Sequence, residues 1–267
     1  MFLRTVTGAV IVLSLMPLAA PAQQPSDSIS VSPPAATELF WQRTATLVPI
    51  RMILPPGFTA QEPHTLIVAL HGYGSSAERF RRVGERLAEA GLMVALPEAT
   101  YAFMREDGEL GFDWGLYHTG DSALDRRAFE LLITESMSDV VRAVQERYAV
   151  ERTYVLGFSQ GAIAAVLSGI YLNDALDGVI TFGLGAYDPQ WFADPTLASS
   201  LAAARHLSVL LIHGDEDERV PVAVSEGARE HLAGEGYEVT LHRFHGGHSV
   251  PDKELDFVIQ WLGEKQP

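Results

Sequence analysis

The stretch Thr153-Tyr154-Val155-Leu156-Gly157-Phe158-Ser159-Gln160-Gly161 carries an apolar, β-prone segment into a Gly-x-Ser-x-Gly pentad, and an Ala-rich helical run follows at once. Strand, sharp turn and helix in that order leave few folds open. A serine at such a turn takes a strained backbone conformation, tolerable only where its neighbours lack bulk, and Gly157 and Gly161 stand two residues away on either side. The turn lifts the Ser159 hydroxyl clear of the sheet. Because a helix begins there, unpaired amide N–H groups and the positive end of its dipole mark a place where an anion can form. The pentad alone also fits an ordinary glycine-bracketed turn, so the rest of the chain must decide its meaning.

Continuous apolar runs at Thr65–Leu70, Leu92–Leu96, Gly178–Phe182 and Leu207–Ile212 read as strands covered on both faces, and Tyr237–Arg243 as a last strand. Between them lie helical stretches: one reaching Ala90 with Phe80, Val83 and Leu87 on one stripe and Ser75 or Ser76 as cap, one over Ser122–Tyr148, one after Ser159, one from Pro221 to Ala233 and one over Pro251–Leu262. This alternation predicts an α/β fold, a mostly parallel sheet with helices on both faces. Two short antiparallel edge strands are expected within Glu38–Leu54. Glu98–Asp121 shows no clean periodicity and reads as an aromatic-rich loop; Leu184–Arg205 reads as an irregular or helical insert. Phe112, Trp114, Tyr117, Tyr187 and Trp191 from these two segments are the candidate substrate-contacting residues, the competing reading being that they seal the core.

A chain of 267 residues can bury one large core, and 47% hydrophobic with 20% charged residues is a globular composition. The net charge of −15 disfavours nucleic acid as a partner. With no cysteine, disulfides, thiolate metal sites and a Cys nucleophile are excluded together. Arg4, the apolar run Val6–Leu18 and the small residues Ala20-Pro21-Ala22 read as a signal peptide over residues 1–22. An uncleaved anchor is the competing reading, but the run is short of the ~20 residues that span a bilayer. The expectation is export to the periplasm or medium, with no stable membrane insertion after cleavage. Residues 23–37 read as a flexible linker and 38–267 as one catalytic domain.

Reactive side chains of an open parallel sheet collect at the carboxyl ends of its strands. Ser159 needs a base, and that base needs an anion to fix its tautomer. His248, in the Gly246-Gly247-His248 loop after the final strand, and Asp217, after the strand ending at Ile212, are chosen, giving the chain order Ser, Asp, His. Asp215, Glu216 and Glu218 share the acid's loop, so Asp215 stays open as an alternative. Backbone N–H groups of Tyr73 and Gln160 are the expected oxyanion donors, with His71 structural. His242, His245 and His248 recur every third residue, but a strand does not converge all three on one metal.

Leu70-His71-Gly72-Tyr73-Gly74, the pentad, His213-Gly214-Asp215-Glu216-Asp217 before Val220-Pro221, and Gly247-His248-Ser249 together resemble an α/β-hydrolase of the phospholipase/carboxylesterase group, which includes acyl-protein thioesterases, over about residues 64–262. The resemblance implies the α/β-hydrolase fold and a catalytic acid at Asp217. It also implies an oxyanion hole at Tyr73 and Gln160, and hydrolysis of carboxylic esters, or of thioesters, through an acyl-enzyme without metal or cofactor. The leader and the 98–121 loop depart from intracellular members. Export suits the secreted feruloyl and polyester esterases, although those commonly carry disulfides. A non-catalytic lipid- or glycan-binding protein of the same fold would need none of the three residue types at the proposed triad.

Overall fold

The computed structural model describes residues 47–115, 121–193 and 195–265. The expected leader, the linker and the first expected edge strand lie outside the described residues, as does Tyr117. Seven strands form one sheet: β1 (Ile50–Ile53), β2 (His64–Leu70), β3 (Met93–Pro97), β6 (Val150–Phe158), β7 (Gly178–Phe182), β8 (Ser208–Gly214) and β9 (Glu238–Phe244). Their spatial order is β1-β3-β2-β6-β7-β8-β9, parallel throughout except for the antiparallel edge pair β1 and β3.

The apolar runs become inner strands because both sheet faces are covered. Leu66, Val68 and Leu70 point into a core shared with α2 (Ser122–Gln145), α3 (Gln160–Tyr171), α4 (Pro195–Ala203) and α5 (Ala223–Gly234). Ile67 and Ala69 point the other way, onto α1 (Arg81–Glu89) and α6 (Asp252–Glu264) through Val83, Leu87, Leu255, Val258 and Trp261. Leaving β2 the chain turns toward β3 and β1, and leaving β6 it turns toward β7 and β9. The carboxyl ends of β2 and β6 therefore flank the crevice where strand order reverses, the usual place for a ligand in an open α/β sheet. Ala162, Ala164 and Ala165 are fully buried on α3, and their small side chains let it press close to the sheet under the crevice.

Three expectations change. The 98–121 segment is not all loop: β4 (Tyr101–Met104) and β5 (Leu110–Asp113) form a separate antiparallel hairpin. Asp107-Gly108 at its tip is the signal that announces it, Gly108 taking a positive φ of 80° at the turn. The helix after Ser75 starts late, because Ser76 Oγ accepts the Arg79 N–H and closes a turn ahead of α1 rather than capping it. Pro221 lies two residues before α5 instead of in its first turn.

Phe182, fully buried at the end of β7, should lose about 3–5 kcal/mol on Phe182→Ala. Leu110→Ala, at a residue 54% exposed on the hairpin, should stay within about 0.5 kcal/mol. Urea midpoints of the two variants check this contrast.

Candidate active site

Ser159 has φ 56° and ψ −115°, the only positive φ outside glycine among the described residues. The strain is held from below by its own N–H, which donates to Phe182 O at 2.9 Å. A Cβ on Gly157 would stand 2.1 Å from Gly161 O, and one on Gly161 would stand 2.4 Å from Leu70 O and 2.5 Å from His71 O. These are backbone atoms that cannot step aside, which is why the pentad needs glycine at both positions. The tight approach brings the start of α3 against the end of β2.

Asp217 and His248 come from the loops after β8 and β9, which are laced together. Asp215 N–H donates to Phe244 O at 2.8 Å and Glu216 N–H to Gly246 O at 2.9 Å, while a Cβ on Gly214 would meet Gly246 O at 2.2 Å. Arg243 reaches back to Asp215 at 2.6 Å and Glu226 at 2.8 Å. Asp215 is thus engaged away from the imidazole, and Asp217 Oδ2 lies 2.6 Å from His248 Nδ1. Asp217 Oδ1 accepts the N–H groups of Arg219 and Val220, each at 2.9 Å, and His213 Nε2 lies 3.3 Å from Oδ2. Burial pushes the Asp217 carboxyl upward, but the Val220 N–H, the His248 ring and the Arg219 N–H outweigh it and hold the group below the usual carboxylate range. An ionised carboxylate only accepts, so Nδ1 carries the proton and Nε2 of the neutral ring is left as an acceptor.

The imidazole packs on Phe158, the residue before Ser159, with ring centroids 4.7 Å apart. The loop after β7 touches both partners: a Cβ on Gly183 would fall 3.0 Å from the His248 ring, and one on Gly185 would fall 3.0 Å from Ser159 O. Gly183, at φ 53°, gives the ring its room. The Ser159 hydroxyl makes no hydrogen bond among the described residues. In a resting site such bonds are often long and tighten only with substrate.

Two backbone N–H groups, of Tyr73 and Gln160, have no partner among the described residues, and Gly72, next to Tyr73, abuts Phe158, whose ring a Cβ there would meet at 3.0 Å. The Tyr73 loop is fixed on several sides. His71, fully buried, donates from Nδ1 to Gly72 O at 2.9 Å, and its Nε2 lies 2.9 Å from Glu98, whose carboxylate accepts Ala77 N–H at 2.9 Å. Trp114 Nε1 donates to His71 O at 2.8 Å. Glu98 and Trp114 in these supporting roles escape sequence reasoning, since nothing in their spacing says what they face.

The candidate aromatics divide. Trp114 is 2% exposed with its indole N–H engaged by His71 O, which favours the competing reading for this residue, that it seals the core beneath the Tyr73 loop. Phe112 is half-buried and pairs through its backbone with Ser75. Tyr187 Oη is 2.7 Å from His231 Nδ1 on α5, Trp191 packs nearby, and burial pushes the phenol of Tyr187 well up. Tyr73 is 61% exposed and stacks on Phe103 of the hairpin at 5.1 Å, forming a rim that the candidates did not include. His242 bonds Glu254 at 2.6 Å, and His245 faces Glu216, so the three spaced histidines serve three different partners.

A carboxyl held below its usual range stabilises the fold above its unfolded-state value, near pH 4, and loses that contribution as pH falls through the folded value. Asp217→Asn should therefore be less stable than the parent at pH 7. The gap should shrink below about pH 4 in urea titrations repeated across pH.

Comparison with known proteins agrees with this geometry. The model of the family described as Phospholipase/Carboxylesterase matches residues 58–265. Acyl-protein thioesterase 1 of Gibberella zeae is 28% identical over 237 residues, covering 80% of this chain and 97% of its own. Esterase YpfH of Escherichia coli is 26% identical, covering 77% of this chain and 86% of its own. The crystal structure of esterase PE8 superposes with a TM-score of 0.67 at 26% identity, over 83% of this chain and all of that one. Zea mays acyl-protein thioesterase 2, at 20% identity and a TM-score of 0.61 over 81% of this chain and 98% of its own, shares the fold. A family match across most of the chain, on a parallel sheet with a strained serine at its centre, makes this protein a member of the phospholipase/carboxylesterase family of α/β-hydrolases, with hydrolase activity of the esterase or thioesterase type.

Proposed function

We propose that the protein is a serine hydrolase that cleaves carboxylic esters of small molecules through an acyl-enzyme, with Ser159 as nucleophile, His248 as base and Asp217 as the acid that holds the imidazole. The observation carrying this reading is the 2.6 Å contact between Asp217 Oδ2 and His248 Nδ1. It directs the free Nε2 lone pair away from the acid, while the ring rests on the strand end that presents Ser159. Ser159 Oγ attacks the ester carbonyl as its proton passes to Nε2, and the carbonyl oxygen becomes an oxyanion received by the Tyr73 and Gln160 N–H groups. Collapse expels the alcohol, which takes the proton from His248. Water then repeats the sequence on the acyl-enzyme.

Similarity to acyl-protein thioesterase 1 of Gibberella zeae favours thioesters as a second substrate class on the same machinery. A thiol leaves more readily than an alcohol, so both can be served without new residues. Export is part of the proposal and is supported by Arg4, the apolar run Val6–Leu18 and Ala20-Pro21-Ala22. A mature chain beginning near Gln23, read by intact mass of protein from the culture, is the expected product.

Ser159→Ala should lower kcat on a p-nitrophenyl ester on the order of a millionfold with the fold retained. A fluorophosphonate probe should label the parent and not the variant. Labelling of the parent also separates this reading from a purely binding role. Hydrolysis that persists in Ser159→Ala would end the proposal.

A further inference from the structure

We infer that Asp113 is a positioning residue of the oxyanion site, coupling its two donors to each other through the β4–β5 hairpin; the inference rests on the serine-hydrolase reading above. The two donors belong to separate parts of the chain. Tyr73 follows β2, and Gln160 opens α3 after β6. Three successive residues of the hairpin reach both. Phe112 exchanges backbone bonds with the first loop, accepting Gly74 N–H at 2.9 Å and donating to Ser75 O at 3.0 Å. Asp113 Oδ1 accepts the Gln160 Nε2–H at 2.6 Å, and Trp114 N–H donates to Gln160 Oε1 at 3.3 Å. Asp113 Oδ1 also takes Gly115 N–H at 2.9 Å, which fixes the carboxylate itself.

Asp113 is 7% exposed and forms no salt bridge among the described residues; an amide side chain and a backbone N–H are what hold its carboxylate. Hydrogen bonds to a buried carboxylate belong to the strong, geometrically demanding class. The Gln160 side chain is clasped at both its oxygen and its nitrogen, so the peptide between Ser159 and Gln160 cannot rock without breaking them. An oxyanion donor works only within about 2.7–3.1 Å of the developing charge, so a small tilt of this peptide is felt in the transition state and hardly in the ground state. The side chain of Gln160, although only its backbone N–H faces the reaction, is therefore not silent.

The test uses the full chain, a short-acyl p-nitrophenyl ester and three variants. Gln160→Glu sets two carboxylates against each other where a bond stood. Gln160→Glu combined with Asp113→Asn restores it with donor and acceptor exchanged, since the new asparagine amide can donate to the new glutamate, at the cost of the Gly115 N–H bond that the same Oδ1 position accepts in the parent. Asp113→Ala removes the clasp outright. The expected result is a loss in kcat of about 10- to 100-fold for Asp113→Ala and Gln160→Glu, below the loss from deleting a whole donor, with KM within about threefold. The double variant should recover at least about tenfold over Gln160→Glu, a rescue that general destabilisation does not produce. Should Asp113→Ala fail to fold, the Gln160→Glu pair decides alone. Parental kcat in Gln160→Glu, or a double variant no faster than it, overturns the inference while leaving the triad reading intact. A parent without esterase or thioesterase activity overturns both.

Discussion

Everything at the crevice depends on one close approach, that of the first turn of α3 to the carboxyl end of β2. At Gly161 no Cβ fits, because Leu70 O and His71 O would lie 2.4 and 2.5 Å from it. A parallel sheet normally keeps a helix start at the distance that side chains dictate. Removing the side chain at this point lets the turn after β6 sink toward the neighbouring strand and brings the start of α3 against the loop that carries Tyr73. The strained serine backbone is the cost of this approach, and the bond from its N–H to Phe182 O is part of what offsets it.

Asp217 and His248 are organised on a different principle. Where the turn at Ser159 relies on missing side chains, the loops after β8 and β9 are joined by backbone bonds and by Arg243, which draws Asp215 and Glu226 together. In a chain of net charge −15, this gives two of the carboxylates crowded around the site a cationic partner. Asp217 can then remain ionised although its side chain is only 1% exposed, because donors from Arg219, Val220 and His248 surround it.

Much of this was legible in the sequence for a simple reason. Inner strands of a parallel sheet are apolar along their whole length, and residues such as Ser159, Asp217 and His248 stand just beyond those runs, so the strand ends could be located without coordinates. The preference for Asp217 over Asp215 rests on the family resemblance and not on the loop's composition; in the structure Asp215 pairs with Arg243 and Asp217 with His248. The hairpin was hidden because four-residue strands give too little alternation to register, although Asp107-Gly108 marked its turn. Trp114 misled for a different reason: an aromatic in a segment that looks like loop suggests a surface, yet the hairpin folds it inward.

The hairpin is bound to the body along its length, Arg79 donating to Leu110 O at 3.0 Å and Arg105 to Gly74 O at 3.3 Å, while some side chains near its tip face solvent. Residues 112–114 engage the Tyr73 loop, Gln160 and His71, whereas the side chains of Met104 and Leu110 are 65% and 54% exposed. A hairpin held in this way separates two kinds of position. Substitutions at its base break bonds to neighbouring segments, while the outward-facing side chains of Met104 and Leu110 can change at little cost to folding. Variation is thus tolerated best at those solvent-facing side chains, outside the contacts that the hairpin makes with the body.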